Sequence, residues 1–205
     1  MKENNWFDPF YIQSHLNEEE SNIQKNVRDF CNNELKPTVV ERNRKNEFDK
    51  ELYPKFGSLG VLGQTVKTHG GSGTSNLAYG LVAYEFEKID SSYRSSISVQ
   101  SSLVIHPINE FGSQEQKDKF LPPLIKGEKI GCFGLTESEA GSDPTSMKTS
   151  FKKTKDGYII NGSKNWITNA PIADIFIIWA IEENKDYKSI KAVSYTHLTL
   201  PTSRS

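Results

Sequence analysis

The hydrophobic pattern of the first two thirds of the chain is helical. Residues 17–126 carry apolar positions three and four residues apart, beginning with Ile23, Val27 and Phe30. Asn17 precedes three consecutive glutamates, which predicts an N-cap followed by the acidic first turn that a helix dipole favours. We therefore expect an all-helical unit to open the chain.

Further helices are predicted within this unit. The run at 77–89 is apolar on most sides, as in a buried helix. Another helix is predicted over 93–105, ending before Pro107, because a proline disfavours helical geometry in the residue before it. Residues 113–116 form a capping box, which predicts a helix that closes at Gly127.

The hydrophobic period changes after the helical unit. Residues 130–135 predict a strand. Residues 158–168 predict a hairpin around an Asn161-Gly162 turn, which is a favoured hairpin connection. The apolar run at 175–181 predicts a short buried strand. The sequence therefore predicts the α+β class, in which a β domain follows a helical one.

The predicted organisation has three stretches. The helical domain covers residues 1–128, and a partial central β domain covers residues 129–193. In residues 194–205 the acids vanish and serine and threonine dominate. This tail resembles translated cloning-adaptor sequence, so we predict that it is non-native and exclude it from the fold. A native disordered terminus is the alternative.

Composition narrows the class of protein. The chain has 205 residues, of which 35% are hydrophobic and 25% charged, and its formal net charge is −1. These values are typical of a soluble globular protein of one or two domains. The near-neutral charge argues against nucleic-acid and anionic membrane partners. The two cysteines make no disulfide framework, and the four histidines show no metal-ligand spacing. We therefore expect no metal site.

The sequence also bears on localisation. No apolar run approaches the roughly 20 residues that cross a bilayer. The first residues include neither an apolar secretory stretch nor an arginine-rich presequence. These features predict a cytoplasmic prokaryotic protein, with the mitochondrial matrix as the alternative if a presequence is missing.

Two motifs carry the candidate chemistry. Residues 132–144 follow a predicted strand and are dense in small and hydroxyl side chains, and residues 165–169 contain Trp166 and Thr168. Together they offer backbone donors, hydroxyls and a large flat indole, a set that suits a planar, hydrogen-bonding cofactor. Taken singly, each motif is equally typical of an ordinary loop beside a strand.

The pair of motifs at this spacing resembles the flavin-contacting signatures of the acyl-CoA dehydrogenases. The resemblance runs from about residue 6 to residue 192 and is strongest to the glutaryl-CoA dehydrogenase branch. It implies FAD as cofactor, an acyl-CoA substrate, electron-transfer flavoprotein as partner, a homotetramer, and a place in lysine and tryptophan degradation. Four pieces carry the resemblance: residues 59–63, 90–102, 131–144 and 166–169.

The family fold has a helical domain, a central β domain and a C-terminal four-helix domain. By this resemblance the chain contains the first, most of the second and none of the third. The family's glutamate base lies in the third domain, so we expect no catalytic base here. Glu137 and Glu139 belong to the flavin loop of the family pattern, and we assign neither as base. We therefore expect a gene fragment that is inactive by itself.

The resemblance also implies site residues. Thr136 would bond the polar edge of the flavin, Trp166 would pack against its ring, and Ser142 would also contact the substrate. The implied cofactor-binding residues are Phe133, Gly134, Leu135, Thr136, Gly141, Ser142, Trp166, Ile167 and Thr168. The implied substrate-binding residues are Arg94, Ser95, Ser98 and Ser142.

Arg94 is the clue to substrate choice. It lies in a segment otherwise made of small and apolar residues, where a buried cation needs a partner. The resemblance implies that its guanidinium binds the terminal carboxylate of glutaryl-CoA, with Ser95 beside it and Ser98 one turn on. From the residues alone, an ion pair with a nearby acid such as Asp90 is the alternative. Other readings are a dehydrogenase of another dicarboxylyl-CoA or of an ordinary acyl-CoA, and an inactive truncated module.

Overall fold

The computed structural model describes Asp8 and residues 10–155 and 157–195. Helices fill the chain as far as residue 125, and strands begin at residue 131, so the predicted α+β class is confirmed. The helices are α1 (Glu18–Phe30), α2 (Val39–Lys45), α3 (Leu52–Ser58), α4 (Asn76–Glu87), α5 (Ser91–Ser98), α6 (His106–Phe111) and α7 (Gln114–Ile125).

Two helix starts follow directly from local sequence. Asn17 accepts the backbone N–H of Glu20 at 2.8 Å, and the Glu20 carboxylate accepts the Asn17 N–H at 3.2 Å. Ser113 and Gln116 make the same reciprocal pair at the start of α7. Each box satisfies amide groups that a helix start would otherwise leave unpaired. Both predicted N-termini are therefore confirmed.

The prediction that the helix after residue 93 ends before Pro107 is wrong. The chain passes from α5 through a π-helical segment, Val99–Ile105, into α6, which contains Pro107. A proline normally breaks a helix because its ring clashes with the carbonyl four residues earlier and it lacks an N–H. The wider π turns immediately before Pro107 relieve this clash, so the helical path continues to Phe111.

Aromatic rings form the centre of the helical core. Phe56 of α3 packs edge-to-face on Phe86 of α4, with ring centroids 5.3 Å apart. Both rings are fully buried. Next to Phe56, a Cβ atom built on Gly57 would lie 2.1 Å from the carbonyl oxygen of Lys126. This backbone contact brings α3 against the end of α7, from which the chain enters the sheet.

The β unit is a five-stranded sheet organised around one central strand, as the apolar run at 175–181 predicts. The central strand, β4, runs parallel to β1 and β2 and antiparallel to β5, while β3 pairs with β2. The strands are β1 (Gly131–Gly134), β2 (Ser150–Thr154), β3 (Gly157–Asn161), β4 (Ile175–Glu182) and β5 (Lys191–Tyr195).

The hairpin predicted over 158–168 is wrong, because β3 does not pair with the residues that follow Gly162. Strand β3 pairs antiparallel with β2, with Thr154 opposite Gly157, so the tight turn precedes β3. At the expected turn, Gly162 has φ +147°, and a Cβ there would lie 2.4 Å from the Thr149 hydroxyl oxygen. The chain after Gly162 therefore leaves the sheet and becomes a loop.

The first two residues of the predicted tail, Ser194 and Tyr195, belong to the last described strand. Strand β5 pairs Ser194 with Ile177 and Tyr195 with Phe176, and residues 196–205 lie outside the described part. The domain boundaries and the non-native tail over 194–205 stay predictions. Among the described residues, no helix is both long and apolar enough to cross a membrane.

Candidate functional site

The structure brings the two predicted cofactor motifs together. The backbone N–H of Asn165 donates to the carbonyl of Thr136 at 2.9 Å, and the Asn165 side chain donates to the Ser138 hydroxyl at 2.9 Å. One motif follows β1 and the other precedes β4, and these strands are adjacent and parallel. The loop after one strand is therefore fastened to the loop before the next.

A buried ion pair fastens the same two loops from inside. Lys164 Nζ lies 2.7 Å from Glu137 Oε1, and the two side chains are only 8% and 9% exposed. The ammonium also donates to the Leu135 carbonyl at 2.8 Å. Sequence reasoning did not single out Lys164, because its partner is 27 residues away and only the folded loops bring the two together.

The low pKa of Glu137 argues against a role as general base. Burial would raise its pKa, but hydrogen bonds from the Lys148 backbone N–H, the Lys164 ammonium and Thr149 outweigh burial and hold the pKa at about 2. Glu139 is exposed, and its ion pair with Lys148 lowers its pKa as well. A general base working near neutral pH needs a raised pKa, so neither carboxylate is suited to that role.

Acid should weaken the fold through Glu137. Its pKa of about 2 lies below the ordinary value of 4.5, so ionised Glu137 favours the folded chain. The contribution is fully present above about pH 4.5 and is lost as the pH falls towards 2; the difference is worth about 3 kcal/mol. Urea unfolding at pH 7, 4 and 3 should show this loss. Glu137→Gln should flatten the pH dependence, whereas Glu139→Gln should keep it; equal profiles for both variants would contradict the assignment.

Trp166 directly follows Asn165, a residue that joins the two loops. Its side chain is 92% exposed, and its backbone has φ +60°, a left-handed conformation that bulky residues rarely adopt. Among the described residues, no hydrogen bond reaches the backbone N–H groups of Thr136, Gly141 and Ser142 or the hydroxyls of Thr136 and Thr168. A flat apolar surface on one loop and free donors on both joined loops fit a planar ligand that has a polar edge.

A cleft of 470 Å³ lies between α5 and the loop after Trp166. Ser95 and Ser96 line it from α5, and Thr168 and Asn169 line it from the loop. The structure thus places Ser95, a predicted substrate residue, on the same cleft as Thr168, a predicted cofactor residue. Ser98 lies further along α5, half-buried.

Arg94 pairs with an acid, and the acid is not Asp90. Its Nε donates to Glu87 Oε2 at 2.7 Å, and its side chain is 39% exposed. Asp90 instead caps α5 by accepting the Ser92 N–H. The two Nη groups of Arg94 donate no hydrogen bond to the described residues, so one side of the guanidinium is free to donate to a ligand. Sequence reasoning missed Glu87, which ends the preceding helix.

The remaining predicted residues have distinct surroundings. Phe133 packs edge-to-face on Trp179, with ring centroids 6.0 Å apart, and contacts the helical core. Gly134 is crowded, since a Cβ there would lie 2.7 Å from Ile178 Cδ1, whereas Gly141 has open space around it. Ile167 is half-buried and Ser142 is exposed. The cofactor and substrate roles of all these residues stay predictions.

Comparisons with known proteins agree with this geometry. The profile for the acyl-CoA dehydrogenase N-terminal domain matches residues 17–128, and that for the acyl-CoA dehydrogenase middle domain matches residues 132–203. A short-chain-specific acyl-CoA dehydrogenase of Clostridium acetobutylicum is 40% identical over 179 residues, covering 86% of this chain and 47% of that protein. The mitochondrial isovaleryl-CoA dehydrogenase of Bos taurus is 40% identical over 168 residues, covering 80% of this chain and 39% of that protein.

Solved structures give the same picture. The glutaryl-CoA dehydrogenase of Mycobacterium smegmatis in complex with FADH2 superposes with a TM-score of 0.86 at 39% identity, covering 91% of this chain and 47% of that one. The butyryl-CoA dehydrogenase of Megasphaera elsdenii superposes with a TM-score of 0.80 at 39% identity, covering 88% and 49%. The chain therefore spans about half the length of the proteins it matches.

Proposed function

Because the chain belongs to the acyl-CoA dehydrogenase family, we propose that it supplies the N-terminal half of an FAD and acyl-CoA site. The observation that carries this proposal is that two loops fastened together carry the exposed indole of Trp166 and several unpaired hydrogen-bond donors. An indole this exposed is costly unless a ligand or another part of the protein covers it. Related structures are described as complexes with FAD or FADH2.

FAD, when bound, would accept the hydride that leaves the substrate β-carbon. The chain's own residues would bind and orient it. The Trp166 ring would cover one face of the flavin, and the Thr168 hydroxyl and the backbone N–H of Thr136 would bond its polar edge. Ser95 would face the acyl group across the cleft. The proton from the substrate α-carbon would go to a base outside these residues, since the Glu137 carboxylate is held in a buried ion pair and its pKa of about 2 makes it a weak proton acceptor.

We propose glutaryl-CoA as the substrate. Relatives at about 40% identity act by name on short-chain and isovaleryl substrates, so overall similarity does not choose among them. Arg94 supports the choice, because the two Nη groups of its guanidinium make no hydrogen bond among the described residues and would bind a terminal carboxylate with charge-assisted hydrogen bonds. Oxidation would give glutaconyl-CoA, and loss of its carboxylate as CO₂, with a proton taken up, would give crotonyl-CoA.

The electron acceptor, the oligomeric state and the cellular location follow from the same proposal. Reduced FAD would pass electrons to electron-transfer flavoprotein, and the whole protein would be a homotetramer. The alternatives that remain are a dehydrogenase of another dicarboxylyl-CoA or of an ordinary acyl-CoA, and a non-catalytic module. The cytoplasm of a prokaryote remains the expected location.

A chimaera tests the proposal. Residues 1–193 would be joined to the C-terminal half of Megasphaera elsdenii butyryl-CoA dehydrogenase, a structure 39% identical to this chain. We expect a yellow protein with one FAD per chain, whereas the 205-residue chain alone should retain little FAD and show no dehydrogenase activity.

Two substitutions make the result specific. Trp166→Ala should weaken FAD binding about tenfold, which corresponds to one good aromatic contact. Tyr158→Ala removes an aromatic ring on β3 that is 48% exposed and should leave FAD affinity unchanged. A chimaera that binds FAD equally well without the indole would contradict the proposed flavin site, and so would a folded chimaera that binds none.

A further inference from the structure

We infer that Gln100 and Asn169 form an amide clamp on Gly131 that positions the two cofactor loops relative to helix α5. The side-chain oxygen of Gln100 accepts the Gly131 N–H at 2.8 Å, and the side-chain nitrogen of Asn169 donates to the Gly131 carbonyl at 3.2 Å. Gln100 is 0% exposed and Asn169 is 9% exposed. Both backbone polar groups of the first residue of β1 are thus held by buried side chains from other elements.

Gln100 also donates both of its amide protons at the junction between α7 and β1. Its Nε2 donates to the carbonyls of Leu124 at 3.0 Å and Lys129 at 2.9 Å. With the bond to Gly131, one oxygen and both amide protons are used. The residue therefore joins the π-helical segment to the end of α7 and to the entry of β1. π-helical turns are uncommon and occur often at functional positions.

Asn169 also binds Ser96 and so connects the clamp to α5. Its Nδ2 also donates to the Ser96 carbonyl at 3.3 Å, and its Oδ1 accepts from the Ser96 hydroxyl at 3.0 Å. That hydroxyl is hydrogen-bonded in turn to the Tyr53 hydroxyl at 2.6 Å. Every polar atom of the Asn169 side chain therefore contacts either β1 or α5.

The glycine is required for this approach. A Cβ atom on Gly131 would lie 2.5 Å from Val104 Cγ1, so a larger residue would push β1 away from the π-helical segment. Without the side chain, the backbone of β1 comes within hydrogen-bond distance of Gln100. The clamp and the close contact therefore depend on each other.

The clamp affects the shape of the cleft, because the residues of the clamp are adjacent in sequence to residues that line the cleft. Asn169 follows Thr168 directly, and Ser96 follows Ser95 directly, so the bonds between Asn169 and Ser96 fix the width of the 470 Å³ cleft. Gly131 begins the strand that leads to Thr136. Gln100 and Asn169 are therefore positioning residues, and their importance for acyl-CoA and flavin rests on the proposed function.

The two cysteines of the chain provide the test. Cys132 lies next to Gly131 in β1, whereas Cys31 lies in the core of the helical unit, and both are buried. Burial raises the pKa of each thiol to about 12, so the two are alike in intrinsic reactivity. Selective opening of the clamped junction should expose Cys132 alone, whereas global unfolding should expose both.

The variant Asn169→Asp would place a carboxylate against two carbonyl groups. In the 205-residue chain, N-ethylmaleimide labelling followed by mass spectrometry should show Cys132 reacting about tenfold faster, with Cys31 changed less than twofold. Gln100→Glu, which removes two donors, should act in the same direction. Asn26→Asp is the matched control, since Asn26 is exposed on α1 and its side chain makes no hydrogen bond among the described residues, and both rates should stay as in the wild type.

If the clamp variants accelerated N-ethylmaleimide labelling of both cysteines by the same factor, the inference would be overturned. Such a result would mean that the two amides contribute only to global stability. Hydrogen exchange in the wild-type chain covers the case in which the variants do not fold. The Gly131 N–H should exchange as slowly as the amides of β4, and rapid exchange there would also overturn the clamp. Neither measurement needs flavin, so failure of the proposed flavin site would show separately, in the chimaera.

Discussion

Replacing Lys164 by methionine should lower the free energy of unfolding by about 3–5 kcal/mol. The substitution leaves the Glu137 carboxylate in place at 9% exposure without its ammonium partner. Removing one member of a buried pair is strongly destabilising, because the remaining charge stays out of water without its counter-ion, and the N–H groups of Lys148 and Thr149 compensate for only part of that loss. The Leu135 carbonyl also loses a donor. Urea unfolding at pH 7, followed by circular dichroism, measures the change.

The control for this prediction lies in the segment between β1 and β2, which also contains Glu137. Lys148 pairs with Glu139 at the surface, where the two side chains are 76% and 73% exposed. Lys148→Met should leave the unfolding free energy nearly unchanged, because water solvates and screens exposed pairs. Similar losses for the two variants would show that the Lys164 pair does not fasten the loops as described.

Replacing Arg94 by leucine should change substrate choice in a full-length protein that carries this N-terminal half. The terminal carboxylate of glutaryl-CoA would lose a charge-assisted partner, at a cost of about 2–5 kcal/mol, and kcat/KM should fall roughly thirty-fold or more. Butyryl-CoA has no such carboxylate and should be affected far less. The measurement is kcat/KM for both substrates, in wild type and variant, in the chimaera.

A second arginine serves as the reference for Arg94. Arg44 is exposed on α2, and Arg44→Leu should leave both substrates unaffected. If Arg94→Leu reduced activity equally with glutaryl-CoA and butyryl-CoA, Arg94 would serve only its pair with Glu87. The proposed substrate would then be an acyl-CoA of unknown acyl chain length.

Local features of the sequence predicted the fold well. The capping boxes at Asn17 and Ser113 involve residues three apart, so all the groups that decide them stand in one short window. The central strand β4 is apolar from Ile175 to Ile181 because it is paired on both sides and packed in the core, and its composition alone identifies it. These predictions needed no knowledge of distant residues.

Predictions that depended on tertiary contacts were wrong or incomplete. The Asn161-Gly162 pair is a strong local hairpin signal, but Thr149 occupies the space beside Gly162 and the strand pairs with β2. The partners of Lys164 and Arg94 lie across loops or helices, where periodicity gives no information. The motif residues around Thr136 and Trp166 were found through their resemblance to a family, and the fold explains only afterwards why they meet.

The amide clamp also has a consequence for the order of assembly. Its bonds to Gly131 and Ser96 join Asn169 to residues 38 and 73 positions away in the chain, so both are non-local contacts. Closing the longer loop costs only about 0.6 kcal/mol more than closing the shorter one, because loop entropy grows with the logarithm of length. Asn169 can make both contacts only once it has left the ribosome. Until then, no side chain from the loop before β4 reaches the carbonyls of Ser96 and Gly131, and the cleft beside α5 has only one of its walls.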